Sequence, residues 1–490
     1  GRMNRTVDYR TDFYSLGVTF YELLTGQLPF AAADPLEWVH AHLAKTPLAP
    51  RLLNPAIPSV VSDLVLKLLA KAPEDRYQSA RGLQHDLETC LQSWQRQGQI
   101  PAFALGQRDR AEHFLIPEKL YGRAHEVETL LAAFERAAQG HAELLLVTGF
   151  SGIGKTAVIH EIHKPVTRQR GYFIQGKFDQ FNRNIPFSAL VQAFRDLIEQ
   201  LLSESAAQRQ QWRSKILAAL GESGQVIIDV IPELEQMTGP PPPAPKLSGV
   251  AAQNRFNLLF RKFIATFTTT EHPLVLFLDD LQWADSASLQ LLQQLLSQNQ
   301  MGYLLLLGAY RDNEVSPAHP LLMTLAELEK SGATLNTLTL APLQQTDVNQ
   351  LIADSLGCAP ERALPLTQRI YQIAQGNPFF SHQLLKALHD HGLIAFDEAA
   401  NCWQCDLARV GALALTADVV EFMALQLRRL PPETQAVLQL AACAGNPFDL
   451  GTLALVRRAG TPPLARNNAA PLNSAEEAPR PPEARPDPQP

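Results

Sequence analysis

The sequence predicts a multidomain protein in which an α/β domain, built on a parallel sheet, lies between two helical regions. Three observations predict this architecture. Residues 117–312 alternate short apolar runs with amphipathic helical patterns, which is the signature of βαβ units. Residues 1–88 have helical periodicity broken by prolines, and residues 313–400 are again helical. At 490 residues the chain is long enough for two or three such domains.

The composition limits the class of protein. Apolar residues make up 46% and charged residues 19% of the chain, as in globular proteins that fold in water. The formal net charge of −7 argues against nucleic acid or an anionic membrane as a partner. Five scattered cysteines favour reduced thiols and a cytoplasmic location, and no apolar run reaches the length of a membrane span. Because the first residue is Gly1 rather than Met, we expect the chain to be a fragment of a longer protein.

The first region is predicted to contain two amphipathic helices. DFYSLGVTFYELLTG places its apolar residues on one helical face and ends at Gly26, a common helix terminator. VSDLVLKLLAKAPEDR has the same periodicity and is stopped by Pro73. Residues 89–116 are rich in Gln and Arg with little periodicity, so they are predicted to be a linker.

A phosphate-binding loop opens the α/β region. The stretch GFSGIGKT satisfies G-x-x-x-x-G-K-[ST], and it follows the apolar run LLLV as the motif requires. Glycines let successive backbone N–H groups turn toward a phosphate, where a Cβ would crowd the oxygens. Lys155 supplies a point charge to the β- and γ-phosphates, and the Thr156 hydroxyl is a ligand for Mg²⁺. The predicted phosphate contacts are Gly149, Ser151, Gly152, Gly154, Lys155 and Thr156.

A second strand delivers two carboxylates. HPLVLFLDDLQWAD contains an apolar run that ends in Asp279 and Asp280. A buried parallel strand that ends in carboxylates is the usual support for Mg²⁺ beside a phosphate-binding loop. We assign Asp279 to the metal, directly or through water, and Asp280 to the catalytic role of polarising the attacking water.

Three further residues are candidate nucleotide contacts. YLLLLGAYRDNE ends in Arg311, which can report the γ-phosphate and is counted with Lys155 and Asp280 as catalytic. A surface arginine in a turn explains the same local sequence nearly as well. LYGRAHEVETLLAAF places Arg123 in a turn before a helix, and GNPFFSHQLL starts a helix with Pro378.

These motifs, in this order, resemble the signal-transduction (STAND) branch of AAA-like P-loop ATPases, from about Pro117 to Leu455. The resemblance implies a P-loop NTPase domain over 117–312, a helical lid over 313–400 and a partial winged helix over 401–460. It also implies that the turn at Arg123 and the helix at Pro378 contact the base. The cofactors that follow are ATP and Mg²⁺. QGKFDQFNRNIPFSAL and AQNRFNLLFRKFI resemble the subgroup found in large bacterial, especially cyanobacterial, sensor kinases.

The N-terminal region resembles the C-terminal part of a Ser/Thr protein kinase domain. RTVDYRTDFYSLGVTFYELLTGQLPF matches the D-x-x-S-x-G stretch, with Asp12 as the residue that braces the catalytic loop of that family. KAPEDRYQSA resembles its closing motif, in which Arg76 pairs with a glutamate. The glycine-rich loop, the H-R-D loop and the D-F-G metal site of a kinase do not precede it. This chain is therefore not expected to phosphorylate proteins.

The remaining patterns are interpreted as structural. Cys402 and Cys405 have C-x-x-C spacing without a second Cys/His pair nearby, which favours a small hairpin over a zinc site. DVVEFMALQLRRLPPETQAVLQLAACAG predicts two helices separated by a Pro-Pro turn. Residues 461–490 are rich in proline with few large apolar side chains, so they are predicted to be a disordered tail.

Two functions remain open at this point. In the first, the chain is a Mg²⁺-ATP-dependent nucleotide switch, a slow ATPase, in a multidomain Ser/Thr kinase and sensor protein. In the second, it is a passive ATP-binding scaffold in a parent kinase whose catalytic half lies outside the chain. The expected partners are ATP, the other domains of the parent signalling protein and a second copy of the chain. No nucleic acid is expected.

Overall fold

The structure is a computed structural model that describes most of the chain. The described residues are 8–31, 38, 41–42, 45–109, 113–180, 185–245, 247–296, 301–397, 402–412, 424, 427–428, 430–444, 450–451 and 453–455. The chain divides into two compact units, Gly1–Gln426 and Leu427–Pro490. Within the described residues, no helix is long and apolar enough to cross a membrane.

Helices dominate the described part of the chain, and the strands form one five-stranded sheet and one two-stranded sheet. The helices are α1 (Arg10–Thr25), α2 (Pro50–Leu53), α3 (Ser59–Leu68), α4 (Ala80–Gln97), α5 (Ala124–Ala138), α6 (Lys155–His160), α7 (His163–Arg168), α8 (Ser188–Leu202), α9 (Ala206–Leu220), α10 (Gln225–Ile228), α11 (Leu234–Thr238), α12 (Gly249–Ala265), α13 (Ser286–Leu296), α14 (Pro320–Lys330), α15 (Gln345–Leu356), α16 (Pro360–Ala374), α17 (Pro378–Asp390), α18 (Leu407–Ala412) and α19 (Pro432–Ala444). The strands are β1 (Ala142–Thr148), β2 (Tyr172–Lys177), β3 (Leu274–Asp279), β4 (Leu304–Tyr310), β5 (Leu335–Thr339), β6 (Ile394–Asp397) and β7 (Cys402–Cys405).

The large sheet has the strand order β2-β3-β4-β1-β5, and every pairing in it is parallel. Its central strands are buried on both faces, which explains their continuous apolar sequences. In β1, Leu144 and Leu146 pack on one face, whereas Leu145 and Val147 pack on the other. Helices α5 to α7 cover the second face, and α8, α12, α13 and α14 cover the first. The parallel α/β domain predicted from the sequence is confirmed.

The sheet domain extends further along the chain than the sequence indicated. The region from residue 313 was predicted to be helical only, yet β5 pairs with β1 as the fifth strand of the sheet. That prediction was wrong because β5 is an edge strand of alternating Leu, Asn and Thr, in which only Leu338 is buried. Such a short run lacks the apolar signal of the central strands. The helical lid therefore begins at α15 and not at residue 313.

The N-terminal region is a separate helical layer. Helices α1 and α3 cross closely at Gly17, where a Cβ would lie 2.8 Å from the Leu68 Cβ. Helix α4 continues nine residues beyond the predicted boundary at 88, and Cys90 in that extension is buried. Asp109 then accepts hydrogen bonds from the backbone N–H groups of Gln78 (2.7 Å) and Ser79 (2.9 Å). The predicted linker is thus helical at its start and packs against the helical layer as far as residue 109. The outer face of α4 is rich in Gln and Arg, so the helical periodicity of its few buried residues is difficult to recognise in the sequence.

The lid is formed by α15 to α17 and carries the hairpin of β6 and β7. Cys402 and Cys405 lie in this hairpin as free thiols, as the sequence predicted. The chain segment before α5 crosses the lid: the Phe114 ring stacks on His389 at 4.9 Å, and the Tyr121 hydroxyl donates to Asp354 (2.8 Å).

The C-terminal part of the chain is described only in pieces. Helix α19 is one of the two helices predicted around the Pro-Pro turn. The partial winged helix expected over 401–460 is not confirmed, since many of its residues lie outside the described part of the chain. The tail at 461–490, predicted to be disordered, also lies outside the described residues.

Candidate nucleotide-binding site

The phosphate-binding loop and the aspartate pair meet at the carboxyl edge of the large sheet. Because the strands are parallel, their carboxyl ends share one edge. Thr148, the last residue of β1, is in register with Tyr310, and Lys177 of β2 is in register with Asp279. Strand β4 lies between the strands that carry the loop and the aspartates. The edge thus combines residues from four separate stretches of the chain.

The loop has backbone conformations that favour glycine. Gly149, Gly152 and Gly154 have φ values of 141°, 75° and 99°. A Cβ on Gly149 would lie 2.9 Å from the Leu340 carbonyl oxygen, and one on Gly152 would lie 2.9 Å from the Phe379 Cβ. Glycine at these positions therefore relieves backbone strain and permits close packing. Helix α6 follows directly, with Gly154 as its N-cap.

Lys155 lies under the loop. Its Nζ donates to the carbonyl oxygens of Gly149 (2.7 Å) and Phe150 (3.0 Å), and the residue is buried. Burial, followed by repulsion from Arg311, lowers the pKa of this ammonium below its usual range. Thr156 and Ser151 are exposed, which leaves both hydroxyls accessible to a ligand.

The two aspartates differ in their surroundings. Asp279 ends β3, and burial, followed by repulsion from Asp280, raises the pKa of its carboxyl group. Asp280 is buried and has a left-handed φ of 54°. Asparagine and aspartate tolerate this region better than most residues. Lys177, at the end of β2, places its Nζ 3.1 Å from Asp280 Oδ2 and 3.9 Å from Asp279 Oδ2.

Arg311 lies beside the aspartates. Its Nε is 3.6 Å from Asp280 Oδ1, its Nη1 is 2.6 Å from Glu314 Oε1, and its guanidinium lies over the Trp283 ring at 5.3 Å. The structure thus brings Arg311 to the same edge as the loop and the aspartate pair. Arg311 is also the N-cap of the short 3₁₀ turn Asp312–Glu314, as the alternative of an arginine in a turn predicted.

Arg123 is buried in the wall of the site. Its Nη2 donates to the carbonyl oxygen of Ala341 (2.6 Å) and, more weakly, to that of Ile153 in the loop (3.4 Å). Its Nη1 bonds to Glu126 (3.0 Å). Arg123 therefore ties the start of α5 to the phosphate-binding loop and to the chain leaving β5.

The lid contacts the loop directly through the start of α17. Asn377 is the N-cap of this helix, and its Nδ2 also donates to the Ser151 carbonyl oxygen (2.9 Å). The backbone N–H of Phe379 donates to the Gly152 carbonyl oxygen (3.3 Å). Pro378, between them, is the first residue of the helix and lies against Gly154. The predicted contact residue Pro378 is therefore adjacent to the loop.

Comparison with known proteins identifies the central domain. Residues 119–307 match the AAA ATPase domain family. This part of the chain is similar to AAA ATPase domains. A RuvB variant from Thermotoga maritima superposes with a TM-score of 0.32 at 14% identity, over 71% of this chain and 86% of that one.

Curated relatives are signalling kinases. Hybrid signal transduction histidine kinase G from Dictyostelium discoideum is 32% identical, over 93% of this chain and 16% of its own length. Serine/threonine-protein kinase PksC from Streptomyces coelicolor is 39% identical, over 19% of this chain and 17% of its own length. The chain thus spans about a sixth of each of these relatives, and it is similar to both histidine kinases and Ser/Thr kinases.

The residues of the AAA domain fit a nucleoside triphosphate with Mg²⁺. The three loop glycines have backbone conformations that favour glycine, and the Lys155 ammonium bonds to the carbonyl oxygen of the first of them. Thr156 and Asp279 offer the oxygen ligands that Mg²⁺ prefers. Among the described residues, no group of three His, Cys, Asp or Glu side chains is placed to hold a metal ion. Mg²⁺ is commonly held by one or two carboxylates together with substrate phosphates, so the donor set suits this ion.

Sequence reasoning missed three residues at this edge: Lys177, Gln282 and Asn377. Lys177 reaches the aspartates only because β2 and β3 are neighbours in register. Asn377 directly precedes Pro378, which the sequence analysis did identify as a candidate contact. An asparagine before a proline at a helix start is a typical N-cap, and this pattern could have indicated Asn377. Gln282 follows the aspartates in sequence, but nothing in that sequence shows which partners it has.

Proposed function

We propose that the chain is an ATP-dependent switch within a larger signalling protein, located in the cytoplasm. The observation that carries this proposal is the contact between the lid and the phosphate-binding loop. Asn377 and Phe379 bond to loop carbonyls, so a ligand that occupies the loop acts on the position of the lid. The AAA ATPase domain and the similarity to signalling kinases support the same conclusion.

Each residue at the edge has a role in this proposal. Gly149, Ser151, Gly152 and Gly154 bind phosphate oxygens through the loop backbone, and Lys155 neutralises their charge. Thr156 and Asp279 hold Mg²⁺, which when bound neutralises charge that develops on the phosphates. Asp280 polarises the attacking water by accepting a hydrogen bond from it. The base lies against the turn at Arg123 and the start of α17 at Pro378.

Arg311 distinguishes the two nucleotides. ATP and ADP differ at the γ-phosphate, and Arg311 lies beyond the aspartate pair with its guanidinium on Asp280 and Glu314. A γ-phosphate offers this cation a stronger partner, so Arg311 gives ATP a contact that ADP lacks. A ligand shifts a conformational equilibrium only through its differential affinity for the two states. The difference between the ATP and ADP states is therefore assigned to Arg311.

Hydrolysis is expected to be slow, as a switch requires a long-lived ATP state. The alternative is a passive ATP-binding scaffold, in which nucleotide stabilises the domain without changing the lid. The observation that favours the scaffold is the burial of Arg123 and its bonds to carbonyls of the loop and of the chain leaving β5, which hold these parts together. In either case the parent protein is proposed to combine kinase and sensor domains, and the relatives' names support the kinase part.

The experiment that separates these functions is limited proteolysis of the purified chain. The unmodified protein is digested with ADP and with a non-hydrolysable ATP analogue, and cleavage between the sheet and the lid is compared. We expect the unmodified protein to give different cleavage patterns with the two ligands. Arg311→Ala should remove this difference, while its ADP affinity stays within about threefold of that of the unmodified protein, a change below 1 kcal/mol. Arg209→Ala, at an exposed position on α9, is the matched control and should behave as the unmodified protein. Identical patterns with ADP and the analogue in the unmodified protein would support the scaffold instead.

A further inference from the structure

Gln282 occupies the space between the aspartates and Arg311. It lies on the short 3₁₀ turn Leu281–Trp283 and is only 2% exposed. Its Nε2 donates to Asp280 Oδ1 (3.0 Å) and to Glu314 Oε2 (3.2 Å). Its Oε1 accepts a hydrogen bond from the backbone N–H of Arg311 (3.3 Å). Asp280 and Arg311 directly follow β3 and β4, and Glu314 lies on the 3₁₀ turn Asp312–Glu314 after β4.

These partners fix the orientation of the amide. A carboxylate only accepts hydrogen bonds when ionised, so the two carboxylates require the NH₂ group, and the backbone N–H requires the carbonyl oxygen. The opposite orientation would place an oxygen against two carboxylates and leave a buried N–H facing another donor. Buried polar groups without partners are costly, so the observed arrangement is the stable one.

Hydrogen bonds and one ion pair close a ring of four side chains beyond the two strand ends. Asp280 bonds to Gln282, Gln282 bonds to Glu314, Glu314 pairs with Arg311, and Arg311 lies 3.6 Å from Asp280. A change in the partners of Arg311 or Glu314 therefore changes the hydrogen bonds of Gln282. Because Gln282 also bonds to Asp280, that change reaches the carboxylate assigned to the attacking water.

We propose that Gln282 is a positioning residue that couples Arg311 to Asp280. It holds the Asp280 carboxylate through one N–H and responds to Arg311 through Glu314 and the Arg311 backbone. This coupling makes the orientation of Asp280 depend on whether Arg311 has a γ-phosphate to contact. The inference rests on the proposed function, because it uses the roles given there to Arg311 and Asp280.

The test compares nucleotide preference in a double-mutant cycle. Gln282→Leu keeps the approximate size of the side chain and removes its three hydrogen bonds, while Gln282→Glu keeps the shape and adds a charge beside two carboxylates. Titrations measure the ratio of the affinity for a non-hydrolysable ATP analogue to the affinity for ADP. The ratio is measured for four proteins: the unmodified chain, Gln282→Leu, Arg311→Ala and the double variant. We expect Gln282→Leu to lower this ratio about 5-fold or more and the double variant to equal Arg311→Ala alone. Additive effects would overturn the coupling.

Turnover supplies a second readout. Gln282→Leu and Gln282→Glu should lower kcat about 10- to 100-fold, while KM rises by no more than the roughly 5-fold loss of ATP affinity, because displacement of a catalytic group affects the chemical step more than binding. Gln293→Leu, the same substitution on α13 where Gln293 bonds to Glu327 at the surface, is the control and should change neither constant. If Gln282→Leu lowers kcat and ATP affinity by the same factor and also lowers the thermal stability, Gln282 has a merely structural role and the proposal is overturned. Failure of the unmodified chain to bind nucleotide would instead refute the proposed function, and the coupling with it.

Discussion

The N-terminal helical layer and the edge of the AAA domain carry comparable motifs, but their charged side chains have different partners. At the AAA edge the charges pair with one another: Lys177 with Asp280, and Arg311 with Asp280 and Glu314. In the helical layer Arg76 bonds to backbone carbonyls, those of Ala70, Arg10 and Lys71. Asp12, which matches the kinase motif, is exposed.

This difference distinguishes an arginine that supports the backbone from one that pairs with other side chains. A guanidinium that bonds to three backbone carbonyls is part of the fold, and it is released only if the chain around it moves. Charged side chains that pair with one another keep their charge available, because a ligand of either sign can replace one partner while the backbone stays in place. The contrast applies to Arg76 and Arg311, because Lys155 at the AAA edge also bonds to backbone carbonyls, those of Gly149 and Phe150.

The largest expected effect is the loss of nucleotide binding on substitution of Lys155. Lys155→Ala removes the buried ammonium that lies under the loop, and we expect the chain to lose about 2–4 kcal/mol of ATP affinity, or roughly 30- to 1,000-fold. Titration with a fluorescent ATP analogue measures the change. Lys164→Ala, on the neighbouring helix α7, is the matched control and should bind as the unmodified chain. Equal ATP affinities for Lys155→Ala and the control would contradict the assignment of the nucleotide site.

The parts of the site that were predicted from sequence are those that a local pattern specifies. The loop, the aspartate pair at the end of β3 and the start of α17 each follow from a few consecutive residues, and the structure brings them to one edge. Lys177 and Gln282 were missed because their partners depend on strand order and on side-chain packing. Strand β5 was missed for a related reason: an edge strand with one buried residue has little apolar signal of its own.

The second-largest expected effect is a loss of stability on substitution of Arg76, without a change in nucleotide binding. Arg76→Ala leaves three backbone carbonyls without their donor, and we expect the helical layer to lose about 1–3 kcal/mol of stability. Hydrogen exchange of the α1 and α3 amides measures this loss locally, which avoids assuming two-state unfolding of a multidomain chain. Nucleotide affinity should stay unchanged. A decrease in ATP affinity comparable with that of Lys155→Ala would show that the helical layer takes part in nucleotide binding and would break the comparison.

The smallest effect is expected at Asp12. In the kinase family that the N-terminal region resembles, the matching aspartate braces the catalytic loop; here the side chain is exposed on α1, so it contributes little to packing. Asp12→Asn, which keeps the shape and removes the charge, should change stability by less than about 0.5 kcal/mol, as is usual for a surface substitution. The chain should also fail to label generic acceptor proteins when it is incubated with radioactive ATP, both before and after this substitution. Labelling that is lost in Asp12→Asn but survives Lys155→Ala would place phosphotransfer in the helical layer, and the exposed aspartate would then be part of a second site.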